Sequence, residues 1–325
     1  MTVPRIGVCL GDPAGVGPEI VVRTLARSSV LPPAAYILFG DARIVEAAER
    51  RLGLRLEARE GRPESPAAAG VFFSHIPAAA GAEAPGRVTA QGGEASFRFF
   101  EAAVAEAGAG RLEAVATAPV SKTAWALAGL PWRGHTDYLA RSYPGAIMSF
   151  WSDRLKVALL SHHRPLSEAV EAVRKDALVD FGRRLCGALE KLPGGPFELL
   201  VAGLNPHAGE AGNMGREEED EIGPAVETLR REGLRVQGPF PADTVFLKAL
   251  GRPGTVVVAL YHDQGLIPFK LEAFASGVNV TLGLPFIRTS PDHGTAFDIA
   301  GKGVADPRSM EAAVRLAAAF SATGS

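Results

Sequence analysis

The sequence predicts an α/β protein with a largely parallel sheet. Apolar runs of strand length alternate along the chain with segments whose apolar residues recur at helical spacing. No repeat or low-complexity tract interrupts this alternation, and 325 residues suffice for two domains or for one large α/β unit. The composition, 47% hydrophobic and 22% charged, is typical of a globular protein.

The first half of the chain opens with a predicted strand at Arg5–Leu10 and a helix at Pro18–Ala26, which has proline in its first turn. The elements predicted after these are a strand at Ala35–Gly40, a helix at Ala42–Leu52, a polar surface segment at Arg55–Ala69, a helix at Ser96–Ala107, a strand at Ala114–Thr117 and a helix capped by Ser121.

The second half continues the same alternation. Its predicted strands are Ala146–Trp151, Leu155–Leu160, Glu198–Ala202, Thr255–Tyr261 and Asn279–Leu282. Its predicted helices are Lys175–Lys191, Glu217–Glu232, Ala242–Leu250, Ala296–Ala300 and Ser309–Ala319. If there are two domains, the chain is expected to cross between them near Gly129–Gly134 and Leu282–Pro285, which carry glycine and proline.

Charge and hydropathy exclude several classes of function. A net charge of −2 gives no electrostatic basis for binding nucleic acid or an anionic membrane. No apolar run is long enough to cross a bilayer, and the first residues lack a signal-peptide layout. Cys9 and Cys186 lie in apolar contexts, where cysteine packs as a small hydrophobe more often than it forms a disulfide. We therefore expect a cytoplasmic protein.

Three histidine-bearing segments follow apolar runs that read as buried strands: Ser161–Pro165, Asn205–Gly209 and Tyr261–Gly265. Ligands of α/β proteins bind at the carboxyl ends of such strands. Imidazoles that converge there could form the ligand set of a divalent metal with an open position. Any one of these histidines could instead serve only in a turn or cap, but three in the same context favour the metal.

Glycine-rich segments stand at two helix starts. Gly11–Glu19 lies between the first strand and the first helix, where it would serve equally well as a tight turn or as an anion-binding loop. It matches neither the dinucleotide fingerprint nor the P-loop. Asp292–Gly303 reads as a short capped helix, although its loop would also suit an adenine or ribose.

Polar residues in two further segments are candidates for holding a small anion. His135 and Thr136 stand at a predicted helix start, where they could bind a ligand or, in the case of Thr136, simply cap the helix. Lys270, Asn279 and Arg288 are spread over a turn-rich segment and could clamp a phosphate or carboxylate, or could be solvated surface groups.

The Asp292–Gly303 segment, His-Gly-Thr-Ala…Asp-Ile-Ala-Gly-Lys-Gly, resembles the cofactor loop of the β-decarboxylating dehydrogenases, the isocitrate and isopropylmalate dehydrogenase group. The rest of the chain resembles one family within that group, the 4-hydroxythreonine-4-phosphate dehydrogenases of pyridoxal phosphate biosynthesis. The stretches that carry this resemblance are Gly11–Ile20, Thr117–Thr123, Gly134–Leu139, Leu204–Glu210, Pro241–Phe246, Tyr261–Gly265 and Val278–Ala300.

The resemblance implies two α/β domains with a cleft between them, isocitrate/isopropylmalate dehydrogenase-like and not a classical Rossmann fold. Residues 1–130 with 283–325 would form a terminal NAD-binding domain, and residues 131–282 a central domain with the metal and the dimer interface. The implied metal ligands are His163, His207 and His262, the third of them supplied by the partner subunit of a homodimer. The metal would be zinc, or else magnesium, manganese or cobalt.

The resemblance also implies the remaining site residues. A small phosphorylated substrate would be held by His135, Thr136, Asp243, Lys270, Asn279 and Arg288, and NAD by His293, Gly294, Thr295 and Ala296. The implied reaction is oxidation of 4-phosphooxy-L-threonine at C3 followed by decarboxylation, with His135 and Asp243 as candidate general bases.

The chain departs from the family pattern at the first metal ligand. Ser161-His162-His163 replaces the usual Thr-Thr-His, and the His-x-Pro-Leu register assigns the ligand to His163. His162 is then a rival ligand or a neighbouring support. Two other functions remain open: the same chemistry on threonate or erythronate 4-phosphate, and an NAD-independent metal-dependent hydrolase or acyltransferase.

Overall fold

The computed structural model describes residues 2–322, which alternate between strands and helices as predicted. The strands are β1 (Arg5–Cys9), β2 (Ala35–Gly40), β3 (Arg59–Glu60), β4 (Gly70–His75), β5 (Ala114–Thr117), β6 (Ile147–Trp151), β7 (Lys156–Leu159), β8 (Glu198–Ala202), β9 (Val236–Phe240), β10 (Thr255–Ala259), β11 (Val278–Leu282) and β12 (Ile287–Pro291). The helices are α1 (Gly17–Leu25), α2 (Ala42–Leu52), α3 (Ala90–Gly108), α4 (Lys122–Leu127), α5 (His135–Ser142), α6 (Leu166–Glu171), α7 (Lys175–Leu189), α8 (Gly223–Arg231), α9 (Ala242–Ala249), α10 (His262–Ala273) and α11 (Arg308–Ser321).

The chain divides into two compact units: unit 1 is Met1–Pro144 with Leu284–Ser325, and unit 2 is Gly145–Gly283. The first crossing was instead predicted near Gly129–Gly134, with the first part of the terminal domain ending at residue 130. Residues 131–144 belong to unit 1 because their aromatic side chains pack there: the Tyr138 ring lies 5.2 Å from that of Phe100 and 5.7 Å from that of Phe97, measured between centroids. Residue 1 and residues 323–325, which the terminal-domain prediction included, lie outside the described residues.

The strands of unit 1 run in the order β3-β4-β2-β1-β5-β12, and every pairing between these neighbours is parallel. The carboxyl ends of β1 and β5 therefore meet at one edge of the sheet, since Cys9 pairs with Thr117. Side-chain caps fix the helix starts, because Asp41, Thr89 and Ser121 each accept a hydrogen bond from a backbone N–H in the first turn. The predicted cap at Ser121 is confirmed.

The strands of unit 2 run in the order β11-β6-β7-β10-β8-β9. β7 pairs parallel with β10, β10 with β8, and β8 with β9. β6 pairs antiparallel with both β7 and β11. β10 lies between β7 and β8, so the three strands that precede the histidine-bearing segments are adjacent and share one carboxyl edge. The largely parallel sheet and this strand context are both confirmed.

One predicted helix is absent. Residues 297–300 form turns, and Ala296 has a left-handed φ of 43°, which lies outside the range of a right-handed helix. The predicted helix at Glu217–Glu232 is divided, because a π-helical turn at Glu218–Ile222 precedes α8. Among the elements that the sequence analysis did not assign are β4, β9, β12, α6 and α10.

Within the part of the chain that the structure describes, no helix combines the length and the apolar character needed to span a lipid bilayer.

Candidate active site

A buried group of polar side chains in unit 1 centres on Arg288. The side chain extends from β12, and its Nη2 donates to Thr117 Oγ1 at 2.8 Å and to His135 Nδ1 at 3.0 Å. Burial lowers the pKa of Arg288 to about 10, so the guanidinium remains charged near neutral pH. A charged arginine at the end of β5 is what the anion-clamp interpretation requires.

His135 is held in one protonation state by this arrangement. An arginine can only donate, so Nδ1 of His135 must accept, and the proton of the neutral ring resides on Nε2. Burial and the nearby Arg288 charge hold the pKa of His135 well below its usual value of 6.5. The ring packs against Phe100 at 4.4 Å and Trp125 at 5.6 Å between centroids. Its buried Nε2 has no hydrogen-bond partner among the described residues, which makes it a donor available to a ligand.

Thr136 does not cap α5. The N-cap position belongs to Gly134, whose φ of 124° is accessible to glycine, and the helix start has no side-chain cap. The capping interpretation of Thr136 is therefore wrong. The side chain is half-buried and lies next to His135 in the first turn, where it adds a hydroxyl to the same part of unit 1.

The two glycine-rich segments of the sequence contact each other. The Val16 N–H donates to the Thr295 carbonyl oxygen at 2.9 Å. A Cβ on Gly15 would lie 2.9 Å from the same oxygen, so only glycine permits this approach. Gly294 and the exposed His293 precede Thr295 in the loop, and the His293 Nδ1 donates to the Gly294 carbonyl oxygen at 2.9 Å. The predicted cofactor loop thus rests directly on the loop after β1.

Sequence reasoning missed Asp12, which lies in the same loop. The residue is 1% exposed, its Oδ1 accepts a hydrogen bond from the Ala14 N–H at 3.0 Å, and its Oδ2 has no partner among the described residues. Burial raises the pKa of Asp12 to about 6. A buried carboxyl group with one unused oxygen is unusual, but a single Asp in a Gly-Asp-Pro turn carries no sequence signal that distinguishes it from a turn residue.

The metal-type histidines belong to unit 2. His163 and His262 adjoin, with ring centroids 5.6 Å apart, and His162 lies 5.6 Å from His163. His207 is exposed, and its Nδ1 lies 3.8 Å from Glu210 Oε2. In residues 2–322 no group of three His, Cys, Asp or Glu side chains is arranged to hold a metal within one chain. The three-histidine set therefore stays a prediction.

Local chemistry nevertheless suits metal ligation. His262 Nδ1 lies 2.7 Å from Asp263 Oδ1, and because a carboxylate accepts, Nδ1 carries the proton and Nε2 is left with a free lone pair. Metal-ligating histidines are commonly oriented by such a carboxylate. Imidazoles of this kind are the ligands that zinc and similar divalent ions take, so the residues present fit a metal as a partial set.

Backbone strain concentrates at the predicted site segments. The non-glycine residues with left-handed φ in the described chain are His163, His207, Ala208, Glu210, Ala211 and Ala296. Of these, His163, His207 and Ala208 lie in histidine-bearing segments and Ala296 lies in the predicted cofactor loop. The other two, Glu210 and Ala211, directly follow the segment Asn205–Gly209. Such conformations are costly and cluster at functional sites, so this pattern supports the choice of segments independently of the residue types.

The remaining predicted residues of unit 2 occupy separate elements. Asp243 is exposed in the first turn of α9, Lys270 is exposed on α10, and Asn279 is half-buried on β11. Arg288, which the sequence grouped with Lys270 and Asn279, belongs to unit 1.

A family model and several known proteins match nearly the whole length of this chain. A model of the family described as pyridoxal phosphate biosynthetic protein PdxA matches residues 33–317. The 4-hydroxythreonine-4-phosphate dehydrogenase of Chromobacterium violaceum is 44% identical over 97% of this chain and 96% of its own length. The D-threonate 4-phosphate dehydrogenase of Cupriavidus necator is 40% identical over 96% of each chain.

Solved structures agree. The crystal structure of 4-hydroxythreonine-4-phosphate dehydrogenase from Klebsiella pneumoniae matches with a TM-score of 0.84 and 37% identity, covering 98% of this chain and 99% of that one. A β-decarboxylating dehydrogenase from Thermococcus kodakarensis shares the fold at a TM-score of 0.50 and 14% identity, over 96% of this chain and 82% of that one. The predicted fold group is confirmed. The family model matches residues 33–317, and relatives that are 43% and 44% identical match nearly the whole chain. The chain therefore belongs to the PdxA family of pyridoxal phosphate biosynthetic proteins.

Proposed function

We propose that this chain is an NAD-dependent 4-hydroxythreonine-4-phosphate dehydrogenase, which oxidises 4-phosphooxy-L-threonine at C3 and decarboxylates the product to 3-amino-2-oxopropyl phosphate. The observation that carries the proposal is the nearly full-length match to relatives named for this activity. Family membership implies an oxidoreductase with a dehydrogenase cofactor and a metal. NAD as the cofactor and zinc as the metal are the more specific parts of the proposal.

The buried group around Arg288 is the proposed binding site for an anionic part of the substrate. His135 offers its Nε2 proton, and the neighbouring Thr136 hydroxyl offers a second donor. Arg288 supplies the positive charge behind them. Because Nδ1 of His135 already accepts from Arg288 and Nε2 is protonated, we assign His135 to substrate binding. The exposed Asp243 is then the remaining candidate for the general base.

NAD binding is proposed for the loop His293–Ala296. Its support by the Val16 N–H and by the close approach of Gly15 gives the loop a fixed position beside the N-terminal end of α1. Partial positive charge at a helix N-terminus favours a phosphate group there. The absence of the dinucleotide fingerprint agrees with a cofactor site outside the classical Rossmann type.

The metal is proposed to be held by His163, His207 and His262, with Lys270 and Asn279 contributing to substrate binding in unit 2. A divalent metal held by neutral imidazoles lowers the pKa of a substrate hydroxyl and stabilises negative charge on its oxygen. Asp263 keeps His262 in the tautomer that ligation needs. Zinc suits this donor set best, and magnesium, manganese and cobalt are the other metals to compare.

A homodimer is proposed to complete this set. α10 begins with His262 and exposes Ile267 and Leu271, which are 61% and 84% exposed. Phe274, the C-cap residue with helical φ and ψ, is 80% exposed. Their spacing of four and three residues places them on one face of the helix. An apolar stripe of this kind normally marks an interface. A second copy that covers it would come close to His262, and a histidine from that copy would complete the ligands that one chain does not assemble.

The direct test follows NADH absorbance with purified protein, NAD and 4-phosphooxy-L-threonine. NADH formation with this substrate is the expected result. Because the D-threonate 4-phosphate dehydrogenase from Cupriavidus necator is nearly as similar, threonate 4-phosphate is the second candidate substrate. Turnover of threonate 4-phosphate alone would support the same dehydrogenase reaction on a different substrate. Folded, metal-loaded protein that turns over neither compound would refute the dehydrogenase proposal.

A further inference from the structure

Glu218 is a buried carboxylate inside the loop that carries His207. It is 4% exposed and stands in the π-helical turn Glu218–Ile222, a geometry that is often found at functional sites. Its Oε1 accepts from the Leu204 N–H and the Asn205 N–H, both at 2.7 Å, and its Oε2 accepts from Asn205 Nδ2 at 2.9 Å. None of the described basic residues forms an ion pair with it, so these three donors compensate its burial.

The loop is wrapped closely around this carboxylate. A Cβ on Gly209 would lie 2.8 Å from Glu218 Oε2, and a Cβ on Gly203 would lie 3.1 Å from Oε1. The two glycines flank His207, so the carboxylate occupies the inside of the turn that presents this imidazole. Successive backbone N–H groups around an anion form the arrangement that proteins use to bind anions, and here the anion belongs to the chain itself.

The residues next to these hydrogen bonds have a strained backbone. His207 and Ala208 have left-handed φ values of 54° and 53°, which side-chain-bearing residues rarely adopt. Nothing within the short 3₁₀ turn at Pro206–Gly209 caps it, because no side-chain cap bond is formed there. A conformation of this cost persists only where its surroundings determine it, and Glu218 provides the bonds immediately before the strained residues.

A second buried side chain ties the same loop to the neighbouring strand. Gln264 Oε1 accepts from the Leu260 N–H and Gln264 Nε2 donates to the Gly203 carbonyl oxygen, both at 2.7 Å. Ser161 Oγ donates to the Leu260 carbonyl oxygen at 3.0 Å. The segments after β7, β10 and β8, each of which carries a proposed metal ligand, are therefore joined through buried polar groups.

We propose that Glu218 is a positioning residue: it holds Leu204–Glu210 in the conformation that presents His207, and Gln264 fixes this segment to the strand end that carries His262. The inference rests on the proposed function, because His207 acts as a ligand only if the protein binds a metal. Glu218 is proposed to act through its hydrogen bonds to this loop.

The test compares Glu218→Gln with Glu219→Gln in the full chain. Glu219 is the adjacent exposed residue, and it forms an ion pair with Arg216 at the surface. In metal-free Glu218→Gln, the Leu204 and Asn205 amide protons should exchange about tenfold faster. A neutral amide oxygen accepts from these two N–H groups less strongly than the carboxylate does, and the new amide NH2 would face the donor Asn205 Nδ2. Zinc affinity, measured by competition with a chromogenic chelator, should fall roughly tenfold or more. NAD affinity, which depends on unit 1, should stay unchanged, and Glu219→Gln should match the wild type throughout.

Asn205→Ala is the second variant, in case Glu218→Gln does not fold. Asn205 is half-buried on the loop, and its removal deletes only the Nδ2 bonds to Glu217 and Glu218. It should weaken zinc binding severalfold without changing NAD affinity. Wild-type zinc affinity in a folded variant of either kind would overturn the inference. Wild-type protein that binds no divalent metal would instead refute the proposed function on which the inference depends.

Discussion

Replacement of Asp12 by asparagine should remove a pH dependence of folding that the buried carboxyl group imposes. The substitution keeps the shape of the side chain and the oxygen that accepts from the Ala14 N–H. It removes the ionisation, which burial makes unfavourable in the folded state.

The magnitude follows from the raised pKa. The pKa of Asp12 rises from 3.8 to about 6 on folding, so the folded protein holds this proton more tightly than the unfolded chain does. The corresponding stabilisation is complete below pH 3.8 and is lost as the pH rises through about 6. A shift of about two units corresponds to roughly 3 kcal/mol, of which about 2 kcal/mol is lost between about pH 4.5 and pH 8.

The assay is urea denaturation of wild type and Asp12→Asn at several pH values, followed by the fluorescence of Trp125 in unit 1. Trp132 and Trp151 are replaced by phenylalanine in both proteins, because two compact units need not unfold together. All other titrating groups are shared, so the difference between the two unfolding free energies isolates Asp12. This difference should shift in favour of the variant by about 2 kcal/mol as the pH rises. Unfolding free energies that change in parallel with pH in the two proteins would show that Asp12 does not titrate with a raised pKa in the folded state.

Three further substitutions test the proposed sites. Gly15→Ala should weaken NAD binding about tenfold in calorimetry, because the added Cβ would displace the Thr295 carbonyl. Gly187→Ala is the control, since a Cβ there has no neighbour within 4 Å, and it should leave NAD affinity unchanged. Equal NAD affinities of the two variants would contradict the assignment of the cofactor loop. Arg288→Lys should raise the KM for the phosphorylated substrate about tenfold without changing NAD affinity, because an ammonium does not reproduce the planar guanidinium fork; an unchanged KM would argue against the anion site. Leu271→Asp should convert dimers to monomers in analytical ultracentrifugation and lower zinc affinity together; dimers that persist would place the interface elsewhere.

The three strands that precede the histidine-bearing segments were predictable, because each of these segments follows a run of buried aliphatic residues. Val157–Leu160, Leu199–Gly203 and Val256–Leu260 read as strands from composition alone, and the structure places β7, β8 and β10 there as neighbours. α10 was not predicted, because Gly265 and Pro268 interrupt its pattern and apolar side chains occur on both its buried and its exposed faces.

The cluster around Arg288 was predictable only in part. The sequence indicated Arg288 as a candidate for an anion clamp and His135 as a candidate ligand-binding residue at a helix start. Their direct contact and the tautomer of His135 depend on a side-chain contact between residues 153 positions apart, which local patterns do not encode. The same applies to Glu218, whose partners lie 13 and 14 residues away along the chain. A run of acidic residues at Glu217–Glu221 reads from sequence as a solvated helix face.

The proposed function requires that this member of the PdxA family oxidise its phosphorylated substrate with NAD and with a metal held by histidines. The rate of NADH formation from 4-phosphooxy-L-threonine tests this directly when it is measured before chelation, after chelation and after zinc is restored, in wild type and in His163→Ala. We expect activity that chelation abolishes and zinc restores in wild type, and no restoration in the variant. Activity that survives complete removal of the metal, or a His163→Ala variant that zinc restores fully, would contradict the proposed function.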